Sequence, residues 1–457
     1  MCCGLALAVG SPSDAWAYSL RQGKDGVQLH WKAKSLGVEV DTRSLTGVSG
    51  PHLLDQVQAA FVTWTANGVP SRCTFKNRKG SATATKDGRN MVRWIKSGWS
   101  HGKETVAITI SWYRVSTGEL LESDIVANAQ HHRWGINPKK GSGLYDVQNV
   151  MAHEAGHFWG VGHSQQRSAT MWIDSMPEQV SKRSLTKDDR DGIAALVAAV
   201  SASASATHNS EYDAGDPMTA RAGGCSTAGD IREGGYALLV LIVLLLMSRH
   251  RRGVMVLLPA VLLLNAAPAD ADSRSSSSVK RLADQAPLVF QGVVTRSKSK
   301  LLRGFIVTDH TVRVRRCFKG PCPAVRTLRT LGGVVGDLGM HASGEARPRP
   351  GHELVLFGQE TGGVVRALSR GAGVYTVTDD GGVESAGCRA AGARHQHGQR
   401  TNRHRHPTRL VQLINEIRRV VPGPDAALEP TRRRSTKSDP PVTHRDASEK
   451  RHQKEKR

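Results

Sequence analysis

The chain has 457 residues, with 63 Lys and Arg against 40 Asp and Glu and a formal net charge of +23. That length predicts two or three domains, and an aromatic content of only 5% restricts a sizeable core to parts of the chain. Seven cysteines without a C-x-x-C pair exclude a cysteine zinc ribbon and a dithiol redox motif. Basic residues concentrate late, so the charge says little about the first half.

In chain order, residues 1–17 read as the remains of a secretory signal. Leu5 to Val9 is apolar, and Ala15-Trp16-Ala17 is a small-x-small cleavage site before Tyr18, although a basic n-region is missing. Residues 18–200 then carry the pattern of an α+β domain. Val27-Gln28-Leu29-His30-Trp31 alternates as a strand. Leu53, Leu54, Val57, Ala60, Phe61 and Trp64 fall at helical spacing after a Gly50-Pro51 start. Arg72 to Phe75 and Met91 to Ile95 are short strands. Thr105 to Trp112 is a strong one, and Leu120 to Ala127 returns from a turn at Ser116-Thr117-Gly118-Glu119. Cys73 has no cysteine partner in this stretch and reads as a small buried apolar residue.

The chemistry is concentrated in His153-Glu154-Ala155-Gly156-His157-Phe158-Trp159-Gly160-Val161-Gly162-His163. On a helix, His153 and His157 point to the same side one turn apart, where two imidazoles can hold one Zn²⁺. Gly160 is the natural helix-ending turn, since glycine accepts the left-handed conformation, and the chain can then bring back His163 as a third ligand. Three protein ligands leave an open position, the mark of a catalytic site. Glu154 follows the first ligand, placed to take a proton from an attacking water.

Met171 follows in Ser168-Ala169-Thr170-Met171-Trp172, and together these residues resemble the H-E-x-x-H-x-x-G-x-x-H plus Met-turn signature of metzincins. Ser164 after the third His and Ala169-Thr170-Met171 at the turn resemble the matrixin branch. Ile173 stands where astacin-like and serralysin-like members carry Tyr. The resemblance implies an α+β metzincin-like catalytic domain: a twisted mixed sheet, an active-site helix, a Met-turn and a C-terminal helix. It also implies one catalytic Zn²⁺ held by His153, His157 and His163, with Glu154 as base and Met171 supporting the ligands from below. Asp124-Ile125-Val126-Ala127-Asn128 and Tyr145 to Val150 look like matrixin structural phrases. The stretch between Ala129 and Leu144 departs from the family pattern. It lacks the His/Asp-rich loops of structural metal sites, so His131 and His132 are expected as exposed loop residues, and it shows no recognisable edge strand for substrate. Cys73 is not in the Pro-Arg-Cys-Gly phrase of a cysteine switch. Thr186-Lys187-Asp188-Asp189 starts a closing helix with an apolar stripe of Ile193, Leu196, Val197 and Val200.

A Ser-Ala repeat opens a linker over 201–235, which holds Gly223-Gly224-Cys225-Ser226. Tyr236 to Met247 is apolar and is followed by Arg249-His250-Arg251-Arg252. Cysteine, apolar run and arginine cluster resemble the bacterial sorting tails of the MYXO-CTERM type. That resemblance implies Cys225 as a candidate sorting cysteine, a membrane partner through residues 236–264, and a secreted or surface-anchored protein of a bacterium. From Met247, a basic start, an apolar run from Val254 to Leu264 and Ala266-Ala267-Pro268-Ala269 also read as a second signal peptide. The chain is therefore expected to join two products, residues 1–252 and 247–457, whose halves share few contacts; the alternative is one protein with a helical hairpin in the membrane.

Residues 280–390 read as a small β-domain, with Cys317 and Cys322 able to pair across Phe-Lys-Gly-Pro. Residues 391–457 read as a basic, largely disordered tail with one amphipathic helix over Thr408 to Val420. The tail lacks interleaved aromatics, which argues against a nucleic-acid partner. The functional expectation is a zinc-dependent endopeptidase hydrolysing protein or peptide substrates with a metal-activated water. The alternative is a surface-anchored binding protein with a catalytically silent metzincin fold.

Overall fold

The computed structural model describes residues 17–78, 84–210, 279–385, 409–421 and 426–427. The signal-like residues 1–16, the sorting motif with Cys225, the apolar run 236–264 and most of the basic tail lie outside the described residues. Among the described residues no helix is long and apolar enough to cross a membrane.

The first strand is β1 (Ser35–Val40), followed by helix α1 (Gly50–Thr65), β2 (Arg72–Asn77), β3 (Asn90–Ile95), β4 (Ala107–Arg114) and β5 (Leu120–Asn128). A two-residue pair, β6 (Trp134–Gly135) with β7 (Tyr145–Asp146), leads into α2 (Val147–Trp159), and α3 (Lys187–Ser210) closes this half. The sheet runs β2-β1-β3-β5-β4, parallel throughout except for the antiparallel β4. Pro51 sits in the first turn of α1, where its missing N–H costs nothing. Leu53, Val57, Ala60, Phe61 and Trp64 of α1 bury against α2. The Phe61 ring meets Phe158 edge-on at 5.0 Å between centroids, and Trp64 Nε1 donates to Ala152 O at 2.7 Å. A buried indole N–H needs such an acceptor, so the bond fixes the register of α1 on α2.

Two expectations of local structure differ. Residues 27–31 are not a strand; they form isolated bridges, with Gln28 opposite Gln22 and His30 opposite Glu119. Leu29 N bonds Arg21 O and His30 N bonds Gly118 O, so the alternation reflects a connector tied to several neighbours rather than one ladder. The real first strand alternates too, with Leu36, Val38 and Val40 buried. The closing helix also runs through the Ser-Ala repeat to Ser210, because alanine is the strongest helix former.

The second half begins with a helical segment over 279–285. It continues as β8 (Leu288–Leu302), β9 (Phe305–Lys319), β10 (Val325–Val335), β11 (Leu338–Ala342), β12 (Glu353–Thr361), β13 (Val364–Ala367), β14 (Val374–Val377) and β15 (Val383–Ser385). β13 pairs with both β10 and β12, so β12-β8-β9-β10-β13 closes on itself. Leu288, Phe290, Val312, Leu328, Leu354 and Leu356 fill one face of this ring. The alternate residues Val289, Val355 and Phe357 pack on helix α4 (Leu410–Val420) and on the 279–285 segment. The amphipathic helix expected in the tail is thus part of the β-domain, through Leu413 and Ile417. Cys317 and Cys322 form a disulfide.

The two halves are not independent. Strand β11 pairs antiparallel with β4, from Leu338 opposite Arg114 to Ala342 opposite Ile110, and makes one continuous sheet of both. The physical reason is the open side of β4: β5 satisfies one side only, and unpaired N–H and C=O groups on the other template a further strand. Ile110 and Trp112 of β4 then share a buried cluster with Ile306, Met340 and Ala342 of the second half.

Candidate metal centre

Helix α2 starts at Asp146, whose carboxylate accepts from Asn149 N at 2.8 Å and pairs with Arg183. It ends at Gly160 with φ 103, whose N–H bonds back to Gly156 O and His157 O. A Cβ at Gly160 would lie 2.6 Å from Leu29 O, so both the dihedral and the space require glycine there. This turn sends Val161 to His163 back across the helix. One ring nitrogen of each of His153, His157 and His163 then lies within 4.8 Å of the others. His157 Nε2 and His163 Nε2 approach to 3.1 Å.

The donor set fits a metal ion. His153 Nδ1 faces Thr170 O at 2.8 Å and His157 Nδ1 faces Val161 O at 2.9 Å. Carbonyl oxygens only accept, so both Nδ1 atoms carry the proton and both Nε2 atoms offer a lone pair. Burial, reinforced by neighbouring cations and histidines, holds both imidazoles well below their ordinary pKa, in the neutral form that ligates.

Glu154 is buried and accepts from Thr109 Oγ1 at 2.5 Å. Burial raises its pKa, opposed by that hydrogen bond and by Arg370, Lys182 and Arg21. A carboxylate so poised exchanges protons more readily near neutrality than an exposed one. Met171 is buried beneath the helix: a Cβ on Gly156 would fall 2.3 Å from its Sδ. The Met-turn is therefore pressed against α2 at a glycine.

Several supporting residues were not visible as such in the sequence. Asp189 accepts from Thr170 N at 2.9 Å and Met171 N at 3.0 Å, while also capping Thr186 N at 2.8 Å. Asp188 accepts from Ser164 Oγ at 2.6 Å and from Ala17 N at 3.1 Å. The acidic pair expected merely to start α3 thus holds both the Met-turn and the loop after the third histidine. Lys182 donates to Trp172 O at 2.5 Å, and burial lowers its pKa to about 8. Arg21 donates to His157 O at 2.6 Å and to Ser111 Oγ at 2.9 Å. Among the expected loop histidines, His131 is exposed, but His132 stacks edge-on against Tyr145 at 4.9 Å. Neither joins the metal centre. Cys73 is half-buried, and burial pushes its thiol up to about 12, so it is inert as a nucleophile.

Comparison with known proteins agrees with this geometry. Residues 30–198 match the family model described as Matrixin. A stretch of 84 residues is 42% identical to Metalloendoproteinase 1 of Glycine max, covering 18% of this chain and 22% of that protein. The chain thus spans about a fifth of that relative's length. Residues 30–198 are a matrixin domain with a mixed sheet and helices.

Proposed function

We propose that the matrixin domain is the catalytic unit of a zinc-dependent endopeptidase, with His153, His157 and His163 as the metal ligands and Glu154 as the general base. The observation that carries the reading is the convergence of three imidazoles, those of His153 and His157 buried and neutral and that of His163 half-buried, beside a buried carboxylate on one helix and its return loop. When bound, a zinc ion supplies Lewis-acid polarisation of the scissile carbonyl and acidifies water there. The chain's own residues do the rest. Thr109 orients Glu154 by donating to its carboxylate. That carboxylate takes the proton of the attacking water and delivers it to the departing amine. Thr170 O and Val161 O keep the two helix histidines in the tautomer that turns Nε2 to the metal. The closely packed Met171 and Trp64 below Gly156 keep that helix from shifting.

Export to a cell surface belongs to the same proposal. It is supported by the Cys317–Cys322 disulfide, which persists in oxidising compartments, and by the apolar run and arginine cluster after Cys225.

The test is incubation of the zinc-loaded protein with a mixed peptide library, reading new termini by mass spectrometry. Internal cleavage that stops on chelation and returns with zinc supports the endopeptidase. Peptides retained by the protein but never cut would favour a binding protein.

A further inference from the structure

Strand β4 runs from the metal centre to the domain's edge, and the second half of the chain lies along it. We propose that residues 279–385 act as a substrate-like inhibitor of the metal centre, with Leu338 to Gly344 filling the seat of a peptide substrate; this rests on the peptidase reading above. An extended peptide docks on an exposed sheet edge through main-chain hydrogen bonds, and β4 is the edge that touches the base, through Thr109 and Glu154. The occupying segment reaches the same residue. Ser343 N donates to Thr109 O at 2.9 Å, and Thr109 N donates to Ser343 Oγ at 3.0 Å. At the other end Val115 N donates to Asp337 O at 2.9 Å. Beyond Ser343, Gly344 comes beside the third histidine, where a Cβ would lie 3.8 Å from His163 Cε1.

The same segment is built not to be cut. Gly344 has φ 67, so the backbone turns there instead of continuing as an extended strand past Glu154. Arg370 donates to Ser343 O, and Gly371 N donates to Gly344 O at 2.9 Å. The carbonyls of Ser343 and Gly344 are therefore both committed to donors of the β-domain itself. Side chains reinforce the dock at both ends. Arg21, which holds His157 O, also bonds His341 O at 3.1 Å and Nδ1 at 2.7 Å. Asp337 accepts from Ser116 N at 2.9 Å and faces Arg114 at 3.6 Å. A strand that merely covered an edge would need neither the turn at Gly344 nor the capture of these carbonyls.

The test uses the full, zinc-loaded chain with Gly339→Val and, separately, Asp337→Lys. A Cβ at Gly339 would lie 2.1 Å from Tyr113 Cζ, and a lysine at 337 would face Arg114 with like charge. Neither residue belongs to the metal centre. Hydrogen exchange over residues 109–115 reports whether the ladder has opened, calorimetry reports the affinity of a peptide hydroxamate, and a quenched peptide reports turnover. Opening should raise both affinity and turnover about tenfold or more, as expected when a closed state is depopulated. An open ladder with unchanged affinity and turnover overturns the proposal. A ladder that stays protected in both variants also counts against it, because an inhibitor strand must be able to leave. An open ladder with tighter hydroxamate binding but no turnover keeps the inhibitor and removes the peptidase reading instead.

Discussion

The metal-centre helix with its return loop and the edge strand β4 meet at Thr109, yet they are specified in opposite ways. Helix α2 and its loop draw their three histidines, buried carboxylate and terminating glycine from eleven consecutive residues, His153 to His163. Their geometry follows from one helical repeat and one left-handed turn. Strand β4 gains its partner from more than two hundred residues away, through a ladder centred on Met340 and Trp112. Nothing local to either strand selects that pairing; an unsatisfied edge and a shared apolar cluster do. The histidine cluster is thus a local property, whereas what covers β4 is a property of the whole chain.

Breaking the local half should give the largest effects. His163→Ala removes one of three ligands, and zinc affinity should fall beyond the roughly 100-fold that changes in outer-shell partners reach. Competition with a chromophoric chelator measures this. Affinity close to wild type would remove His163 from the ligand set.

Asp189→Ala comes next, because it strips the acceptor from Thr170 N, Met171 N and Thr186 N at once. Leaving buried donors unsatisfied should cost about 3–5 kcal/mol, read as a lower urea midpoint. A loss confined to tenths of a kcal/mol would show that the Met-turn holds itself.

A pH series sharpens the contrast in the other half. His310 bonds Ser297 Oγ at 2.8 Å and Thr330 Oγ1 at 2.9 Å, and burial lowers its pKa to about 4, against a small opposing pull from Asp309. The unfolded chain takes up this proton near its ordinary value of 6.5, the folded chain only near 4. Stability is therefore full above 6.5 and is lost as the pH falls toward 4, by up to about 3 kcal/mol. Hydrogen exchange of β9 and β10 amides should show this slope, and His310→Gln should flatten it. An unchanged slope in the variant would assign the acid response elsewhere.

The smallest effect is expected from Gly156→Ala. Its Cβ meets Met171 Sδ and Trp64, and overpacking of this kind costs about 1–3 kcal/mol. A neutral or stabilising result in thermal unfolding would show slack beneath the helix.

The same contrast decides what could be read from the sequence. The histidines, Glu154, Gly160 and the α1 helix were legible because periodicity and turn chemistry act within a few residues. The Cys317–Cys322 pair was legible for the same reason. Residues 27–31 misled because alternation does not distinguish a ladder from a connector bonded to Arg21 and Gly118. The tie of Asp189 to the Met-turn was hidden because an acid in a first helical turn already has a sufficient local reason to be there. The expected independence of the halves failed because linker composition carries no information about which strand edges are open.

The most direct measurement concerns Glu154, made in the Gly339→Val chain so that the edge is open. Zinc content and peptide turnover would be compared with and without Glu154→Gln. The account predicts one zinc per chain in both and turnover lower by at least about 100-fold in the Gln variant, the scale of a lost general base. Undiminished turnover with zinc retained would contradict it.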